Sequence, residues 1–547
     1  MCVKLIDGQL FQRMVTEGAL AIAEKKEQAN ELNVFPVPDG DTGTNMSLTM
    51  ASAMTEMQRL HEPSLAKAAD AAASALLRGA RGNSGVILSL LFRGMAKKLR
   101  ECTEAGGCDF ALALREGVDA AYKAVMKPAE GTILTVSRVA AQYAVECCQA
   151  DPDLTVEAVL NAIIERGQQA LAETTRQNPV LAKAGVVDAG AFGFLTILEG
   201  MRDAYLGLEK ERILPEQQAS PAGADFSAIA DEDITFTYCT EFIAQRRDKA
   251  RNVNRLRAIL GEIGDSLVVV DDDEIVKVHV HTDQPDRALA EGLKFGPLLT
   301  VKVENMREQH TAKVIEGTEP RQRVIRAPEK RYGFVAVAAG EGLKNVFTDL
   351  GCDVVVQGGQ TMNPSTNDIL YAVDEVPAEV VFVLPNNKNI IMAAQQVVPL
   401  SEKQVVIVPS ANIPQGMSAL LAFDPDSNPE ANTMLMEEAL GTVSAGQITY
   451  AARNSEFDGK KIKEGEYLAL SEGKLCANSK RPFDAVKKLA REMVHDDSAF
   501  ATIIFGEGVS EDDAARVEEI FRKENRDLEI TVIDGGQPVY YYIISVE

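Results

Sequence analysis

Apolar side chains recur every three or four positions through roughly the first 205 residues, and Phe11, Met14, Val15, Gly18 and Ile22 form one such stripe. Ala, Leu and Met dominate this part, with few β-branched runs. The pattern predicts helices over Met46–Met57, Ser64–Arg78, Val86–Leu99, Phe110–Lys123, Ile133–Cys148, Thr155–Thr174 and Ala191–Tyr205. It fails over 206–230, where Pro215, Gln217, Gln218, Pro221 and Gly223 mark a linker. A period of two then appears. Ile234, Phe236 and Tyr238 alternate with Thr235, Thr237, Cys239 and Glu241; Val276, Val278 and Val280 alternate with Lys277, His279 and His281. With a helix around Asn252–Ile263 between them, 231–328 reads as a small α/β domain.

Residues 329–547 alternate strand and helix. Strands are expected at Gly333–Ala338, Val354–Gln357, Val380–Leu384 and Val405–Val408, with helices around Gly342–Leu350, Asn367–Val373 and Lys388–Val397, which implies a parallel sheet. Strands at Ile448–Arg453, Tyr467–Leu470 and Ala501–Phe505, helices at Pro482–Met493 and Glu511–Lys523, and a final strand pair complete the chain.

The breaks between the N-terminal helices carry the chemistry. The run Asn33–Asn45, NVFPVPDGDTGTN, holds Asp39 and Asp41 around Gly40. Pro36 and Pro38 keep its first half extended, and Gly40 and Gly43 permit a tight loop. Two carboxylates followed by Thr42, Thr44 and Asn45 suit a nucleotide phosphate with Mg²⁺: hard oxygens for the cation, amides and hydroxyls for the phosphate. A helix starting there would aim its N-terminus at the anion. Asn33 is a candidate third Mg²⁺ ligand. Further glycine-containing breaks, Gly79–Gly85 (GARGNSG), Gly131–Thr132 and Gly185–Gly193 (GVVDAGAFG), can gather at one end of a helical domain as a composite phosphate site. Gly82, Asn83, Ser84 and Gly85 would form a second anion cradle, Gly131 and Thr132 a third wall, and Asp188 with Gly190 would close over the base or ribose. Read alone, an Asp-Gly-Asp is a polar surface turn; the longer string is the more specific signal. There is no GxxxxGK[ST] loop and no dinucleotide fingerprint. Arg78, Arg81 and Lys183 are the basic residues near these breaks, each able to neutralise phosphate or to sit in a surface salt bridge.

A second candidate is Cys239 with His279 and His281, thiolate and imidazole ligands suited to Zn²⁺; a structural role for the histidines stands beside it. The polar strings Gln357–Thr366 (QGGQTMNPST) and Pro385–Asn389 follow predicted strands, where ligands or partners bind, and read equally well as ordinary loops.

Charge narrows the field. The chain carries 81 acidic against 56 basic residues, a net −25, with no basic stripe, so nucleic acid and anionic membrane surfaces are disfavoured partners. The N-terminus has no long apolar stretch and no later run approaches a membrane span. Eight scattered cysteines, only Cys147 and Cys148 adjacent, are no disulfide framework, and a reducing cytoplasm is the expected compartment.

Asp39-Gly-Asp41-Thr-Gly-Thr-Asn45-Met resembles the metal and nucleotide loop of the ATP-binding subunit of dihydroxyacetone kinases. The resemblance covers roughly residues 1–205 and implies an eight-helix barrel in which three aspartates hold two Mg²⁺ beside ATP. Gly82–Gly85 and Asp188-Ala-Gly190 are similar to its phosphate and adenosine contacts, and Asn33 stands where that family has its first aspartate. Over most of its length the chain resembles one branch more closely, the ATP-binding subunit of bacterial fatty acid kinase. The strings are Asn33–Met46, Ala80–Gly85, Asn178–Gly190, Tyr238–Phe242 (YCTEF), Val278–Asp283 (VHVHTD) and Ile413–Ala419 (IPQGMSA). That resemblance implies a separate fatty-acid-binding protein as partner, phosphorylation of the bound fatty acid's carboxylate, and a last domain like the fatty-acid binder's own α/β fold that docks it. A carboxylate is already a nucleophile at neutral pH, so phosphoryl transfer needs positioning and charge neutralisation, not a general base. No catalytic histidine is expected in the first domain, where His61 is the only one.

The expectation is therefore a multidomain chain: an all-α ATP- and Mg²⁺-binding domain over 1–205, a linker over 206–230, a middle α/β domain over 231–328 with a metal site or a homodimer interface, and a C-terminal α/β domain over 329–547. The alternatives are a kinase component for a small polyol and a non-catalytic nucleotide-sensing scaffold.

Overall fold

Amphipathic spacing becomes ten helices among the described N-terminal residues: α1 (Gly8–Glu24), α2 (Lys26–Glu31), α3 (Thr42–Arg59), α4 (Leu65–Gly79), α5 (Gly82–Leu99), α6 (Gly107–Ala124), α7 (Ile133–Ala150), α8 (Val156–Gln177), α9 (Pro179–Ala184) and α10 (Ala189–Leu206). The structure is a computed structural model that describes residues 4–33, 40–125, 128–208, 238–247, 253–271, 275–305, 323–359, 362–452, 454–457 and 460–547. The chain forms two compact units, one drawn from Met1–Arg212 and Arg323–Glu547, the other from Ile213–Gln322.

The starts of α1, α4 and α8 are written in the sequence. Asp7, Ser64 and Thr155 each accept a backbone N–H of the first turn. The stripe on α1 is buried, with Met14, Val15 and Ile22 fully so. The long helices pack in chain order, α1 on α3, then α4, α5, α6, α7 and α8, and α10 packs on both α8 and α1. Alanine and other small side chains along α4, α7 and α10 let these helices approach closely around a core that includes Phe11, Phe110 and Phe194. Gly207, left-handed at φ 71°, ends α10; the expected linker from 209 to 230 lies outside the described residues.

In the middle unit, β1 (Tyr238–Gln245), β2 (Gly264–Asp271), β3 (Ile275–Thr282) and β4 (Leu298–Asn305) make an antiparallel sheet in the order β2-β3-β1-β4. Helices α11 (Val253–Ile263) and α12 (Pro285–Leu293) accompany it, with Phe242, Val276, Val278, Val280 and Leu260 in the core. Ile234 and Phe236, expected in the first strand, lie outside the described residues.

The C-terminal part holds two sheets. β5 (Lys330–Ala338), β6 (Val354–Gln357), β7 (Ala378–Leu384) and β8 (Gln404–Ile407) are all parallel, in the order β6-β5-β7-β8. Helices α13 (Glu341–Asp349), α14 (Thr366–Glu375), α15 (Ile391–Gln395), α16 (Ile413–Leu421) and α17 (Pro429–Ala439) belong to this half. The expected helix over Lys388–Val397 shrinks to the five residues of α15. Asn387 accepts the N–H of Asn389, a local turn that delays the helix start, and Pro399 follows in a 3₁₀ turn. The mixed six-stranded sheet contains β9 (Ser444–Tyr450), β12 (Tyr467–Ser471), β13 (Lys474–Ser479), β14 (Phe500–Phe505), β15 (Glu529–Asp534) and β16 (Tyr542–Val546), in the order β13-β12-β9-β16-β14-β15. A short pair, β10 (Ser455–Phe457) and β11 (Lys460–Ile462), stands apart, and α18 (Pro482–Met493) and α19 (Glu511–Glu524) pack on the six strands.

The expected pairing of the last two strands with each other does not occur. β16 inserts between β9 and β14, while β15 takes the edge, parallel to β14. Burial supplies the reason: every residue of β16 is buried, whereas every residue of β15 is exposed or half-buried.

Candidate functional site

Four helix N-termini of the first unit meet at one end of the helical part. Asp41 is the N-cap of α3, and its carbonyl accepts the Asn45 N–H at 2.8 Å. Gly82 opens α5 at φ 58°, and a Cβ placed on it would sit 2.5 Å from Asn45 Nδ2. Thr49 ties the two helices further: its hydroxyl donates to Asn45 O at 2.7 Å and accepts the Arg81 N–H at 3.2 Å. In α10, Gly193 lies against Met46 of α3, where a Cβ would come within 2.6 Å of Sδ. Asp188, the N-cap of α10, accepts from Ala191 N at 2.8 Å and also faces the Ile133 N–H at the start of α7. The glycine-containing breaks after α4, before α7 and before α10 are therefore neighbours of the Asp41 loop. Four positive dipole ends and their first-turn N–H groups favour an anion there.

The polar groups divide by what their neighbours leave available. Thr42 donates its hydroxyl proton to Asn33 Oδ1 at 2.8 Å, so its oxygen remains as an acceptor. Asn30 clasps Thr44: Oδ1 accepts the backbone N–H at 3.1 Å, and Nδ2 donates to Oγ1 at 3.0 Å, which leaves the Thr44 O–H as a donor. Thr132 commits its proton to Ala129 O at 2.7 Å. Asn83 Oδ1 is buried with no hydrogen-bond partner, an acceptor awaiting a donor or a cation. Burial pushes the enclosed Asp188 carboxyl up to about 6, against the N–H groups of Ala191, Ile133 and Gly190, which favour the charged form. Gly190 lies close to that carboxyl, where a Cβ would be 3.3 Å from Asp188 Oδ2, and Gly131, at φ 74°, precedes Thr132. Ser84 and Gly85 lie in the first turn of α5, with Gly85 against the Thr49 hydroxyl.

The loop from the C-terminal α/β half closes one side. Asn363, 2 % exposed, donates from Nδ2 to Asp41 Oδ2 at 2.5 Å. Its carbonyl accepts from Arg81 Nη1 at 2.7 Å, Ser365 bridges Arg81 through the backbone, and Thr366 N–H donates to Ala80 O at 3.1 Å. The Arg81 charge is thus engaged by this loop and by Asp368, 3.6 Å away. Arg78 is exposed and lines a cleft with Arg323, Asn367 and Tyr371. Asn30, Thr49 and Asn363 join the site although sequence reasoning does not single them out. The first two carry no local signal, and Asn363 lies in the polar string after β6, which the sequence offers equally as a ligand or partner site and as an ordinary loop, with nothing to link it to the Asp41 loop.

Asp39 lies outside the described residues, as do the side chains of Lys183, Cys239, His279 and His281. The backbone register nevertheless pairs Cys239 with His281 and Glu241 with His279 across β1 and β3, and pairs His281 with Asp265 of β2. Among the described residues, no group of three or more His, Cys, Asp or Glu could hold a metal ion. Burial pushes the Cys148 and Cys352 thiols up to about 12, so neither is a reactive thiolate at neutral pH. No helix among the described residues is long and apolar enough to cross a membrane.

Three family models match the chain: the DAK2 domain over residues 36–203, the FakA-like middle domain of fatty acid kinase over 235–313, and the FakA-like C-terminal domain of fatty acid kinase over 333–547. Protein YloV of Bacillus subtilis is 40% identical over 559 residues, covering 100% of both chains. A Staphylococcus haemolyticus protein described as uncharacterized is 39% identical, again over 100% of both. Among solved structures, a DegV family protein from Corynebacterium glutamicum shares 14% identity at a TM-score of 0.31, covering 40% of this chain and 96% of its own.

Proposed function

The chain belongs to the FakA-like fatty acid kinase family, and from that premise we propose that it is the ATP-using subunit that phosphorylates the carboxylate of a fatty acid presented by a separate fatty-acid-binding protein. The observation that carries the reading is the meeting of four helix N-termini, those of α3, α5, α7 and α10, around Asp41 and the Cβ-free face of Gly82. Such a site takes a polyphosphate: backbone N–H groups and the Thr44 hydroxyl donate to phosphate oxygens, and Asp188 and Gly190 lie on the nucleoside side.

The residues also fit Mg²⁺. Asp41 offers a carboxylate, Thr42 and Asn83 offer acceptor oxygens, and Asp39 and Asn33 complete the proposed set. When bound, Mg²⁺ supplies neutralisation of the phosphate charge that grows in the transition state. The protein's own task is to hold the triphosphate in line with an incoming carboxylate and to exclude water. No side chain has to remove a proton. His61 is therefore left out of the chemistry, and Arg81, already engaged by Asn363 and Asp368, is left out of direct phosphate contact.

The closed order of helix packing, α1 through α8 and back by α10, supports the eight-helix-barrel reading. We assign the C-terminal α/β domain to docking of the lipid-loaded partner in the cytoplasm, and the middle domain to homodimer assembly or to Zn²⁺ held by Cys239, His279 and His281, whose register brings two of the three into one cross-strand pair. The test is ATP consumption with purified chain, fatty acid and partner together. Asp41→Ala and Asp39→Ala should each lower turnover by at least about 100-fold, as expected for losing a ligand of the cation that neutralises the transferring phosphate. Full activity in Asp41→Ala would remove the site assignment.

A further inference from the structure

The nucleotide site is not confined to the helical domain. The loop joining β6 to α14 leaves its sheet at Gly358 and Gly359, both at positive φ, and is fastened by Asn387 Nδ2 to Gly359 O. Asn363 and Ser365 lie over the turn between α4 and α5. Four interactions fasten the loop there: Thr366 N to Ala80 O, the Arg81–Ser365 bridge, Arg81 Nη1 to Asn363 O, and the Arg81–Asp368 ion pair. At its apex the buried Asn363 amide reaches Asp41 Oδ2, 322 residues away in the chain. A cap on a carboxylate at the rim would need none of this bracing. The observed bracing fixes a donor on one oxygen of one carboxylate.

We propose that Asn363 is a positioning residue for the cation: it holds Asp41 by Oδ2 and so orients the carboxylate toward Mg²⁺–nucleotide. The C-terminal α/β domain thereby supplies the outer layer of the site, and the inference rests on the ATP-site reading above. Groups that hydrogen-bond a metal-binding carboxylate fix its direction, and their loss typically lowers metal affinity by about 10–100-fold. The same bond makes cation affinity depend on where the C-terminal domain sits, because displacing the loop removes the donor. By linkage, the bound cation would in turn favour the docked loop.

The experiment uses the full chain and a non-hydrolysable ATP analogue, titrated with Mg²⁺ at fixed nucleotide and followed by calorimetry. Asn363→Ala should weaken apparent Mg²⁺ affinity by about tenfold or more, with metal-free nucleotide affinity held within about twofold. Met392→Ala is the control: Met392 packs on the helical core from the same α/β half, and its Mg²⁺ dependence should match wild type. If Asn363→Ala does not fold, Arg81→Lys, which loosens the grip on the Asn363 carbonyl while keeping the charge, should shift Mg²⁺ dependence in the same direction by a smaller factor. Unchanged Mg²⁺ dependence in Asn363→Ala, or an equal shift in Met392→Ala, overturns the proposal and leaves the ATP site standing. A wild-type chain that binds no nucleotide with Mg²⁺ overturns both.

Discussion

Replacing Gly82 by alanine tests the packing on which the anion site depends. Two costs follow from its surroundings. At φ 58° the left-handed conformation costs an L-residue about 1–2 kcal/mol. The new methyl would also stand 2.5 Å from Asn45 Nδ2 and 3.1 Å from Cγ. Asn45 is 4 % exposed and has little room to turn away, so the overlap adds about 1–3 kcal/mol, the usual cost of overpacking. Gly185 isolates the first cost. It has φ 66°, and a methyl added there would meet nothing within 4 Å, so Gly185→Ala should lose only the left-handed contribution of about 1–2 kcal/mol. The two variants are compared by circular dichroism at the helical band in urea, since the chain has no tryptophan to report by fluorescence. Gly82→Ala should unfold at the lower urea concentration, by a margin corresponding to about 1–3 kcal/mol, and should also bind the ATP analogue more weakly because Asn45 is displaced. Equal midpoints for the two variants would refute the close approach of α5 to α3.

Asp188→Asn should separate burial from capping. Asparagine keeps an N-cap acceptor but cannot ionise. Because the folded carboxyl is raised from 3.8 to about 6, the folded state holds the proton more tightly, and wild type loses stability as pH rises from about 4 to about 6. The variant should therefore melt close to wild type at pH 4 and above it at pH 7.5, by the equivalent of about 1–3 kcal/mol; a pH-independent difference in melting temperature would contradict this. For the middle domain, elemental analysis of purified protein should find about one zinc per chain, lost in Cys239→Ala; protein without zinc, together with a fully active Cys239→Ala, would sink that assignment.

Much of the architecture is legible in spacing and caps. The long helices of the first 208 residues follow from three- and four-residue periodicity, which misses the six-residue α2 and α9, and Ser64, Thr155 and Asp7 announce the starts of α4, α8 and α1. Pro482–Met493 forms with the bounds its pattern predicts. Helices α16 and α17 are absent from the predicted elements, although Asn412-Ile-Pro414 and Asn428-Pro429 carry the N-cap and early-proline signal for both. The hairpin strand β13 escapes the pattern too, since Lys474–Ser479 is half-buried and lacks a strong apolar run.

What the chain order alone determined is local. Turn residues, helix periods and the Asp-Gly-Asp loop depend on neighbours a few positions apart, and the physical preferences of backbone and side chain suffice to state them. Which groups share the site was decided by packing. Asn30, Thr49, Gly193 and Asn363 reach the Asp41 loop and its helix from separate parts of the chain, and no periodicity links position 363 to position 41. The final strands show the same division: sequence marks both as strands, but only competition for the sheet interior puts the fully buried β16 between two neighbours and leaves β15 at the edge. Burial is a property of the assembled fold, and it assigns partners that no stretch of residues can choose by itself.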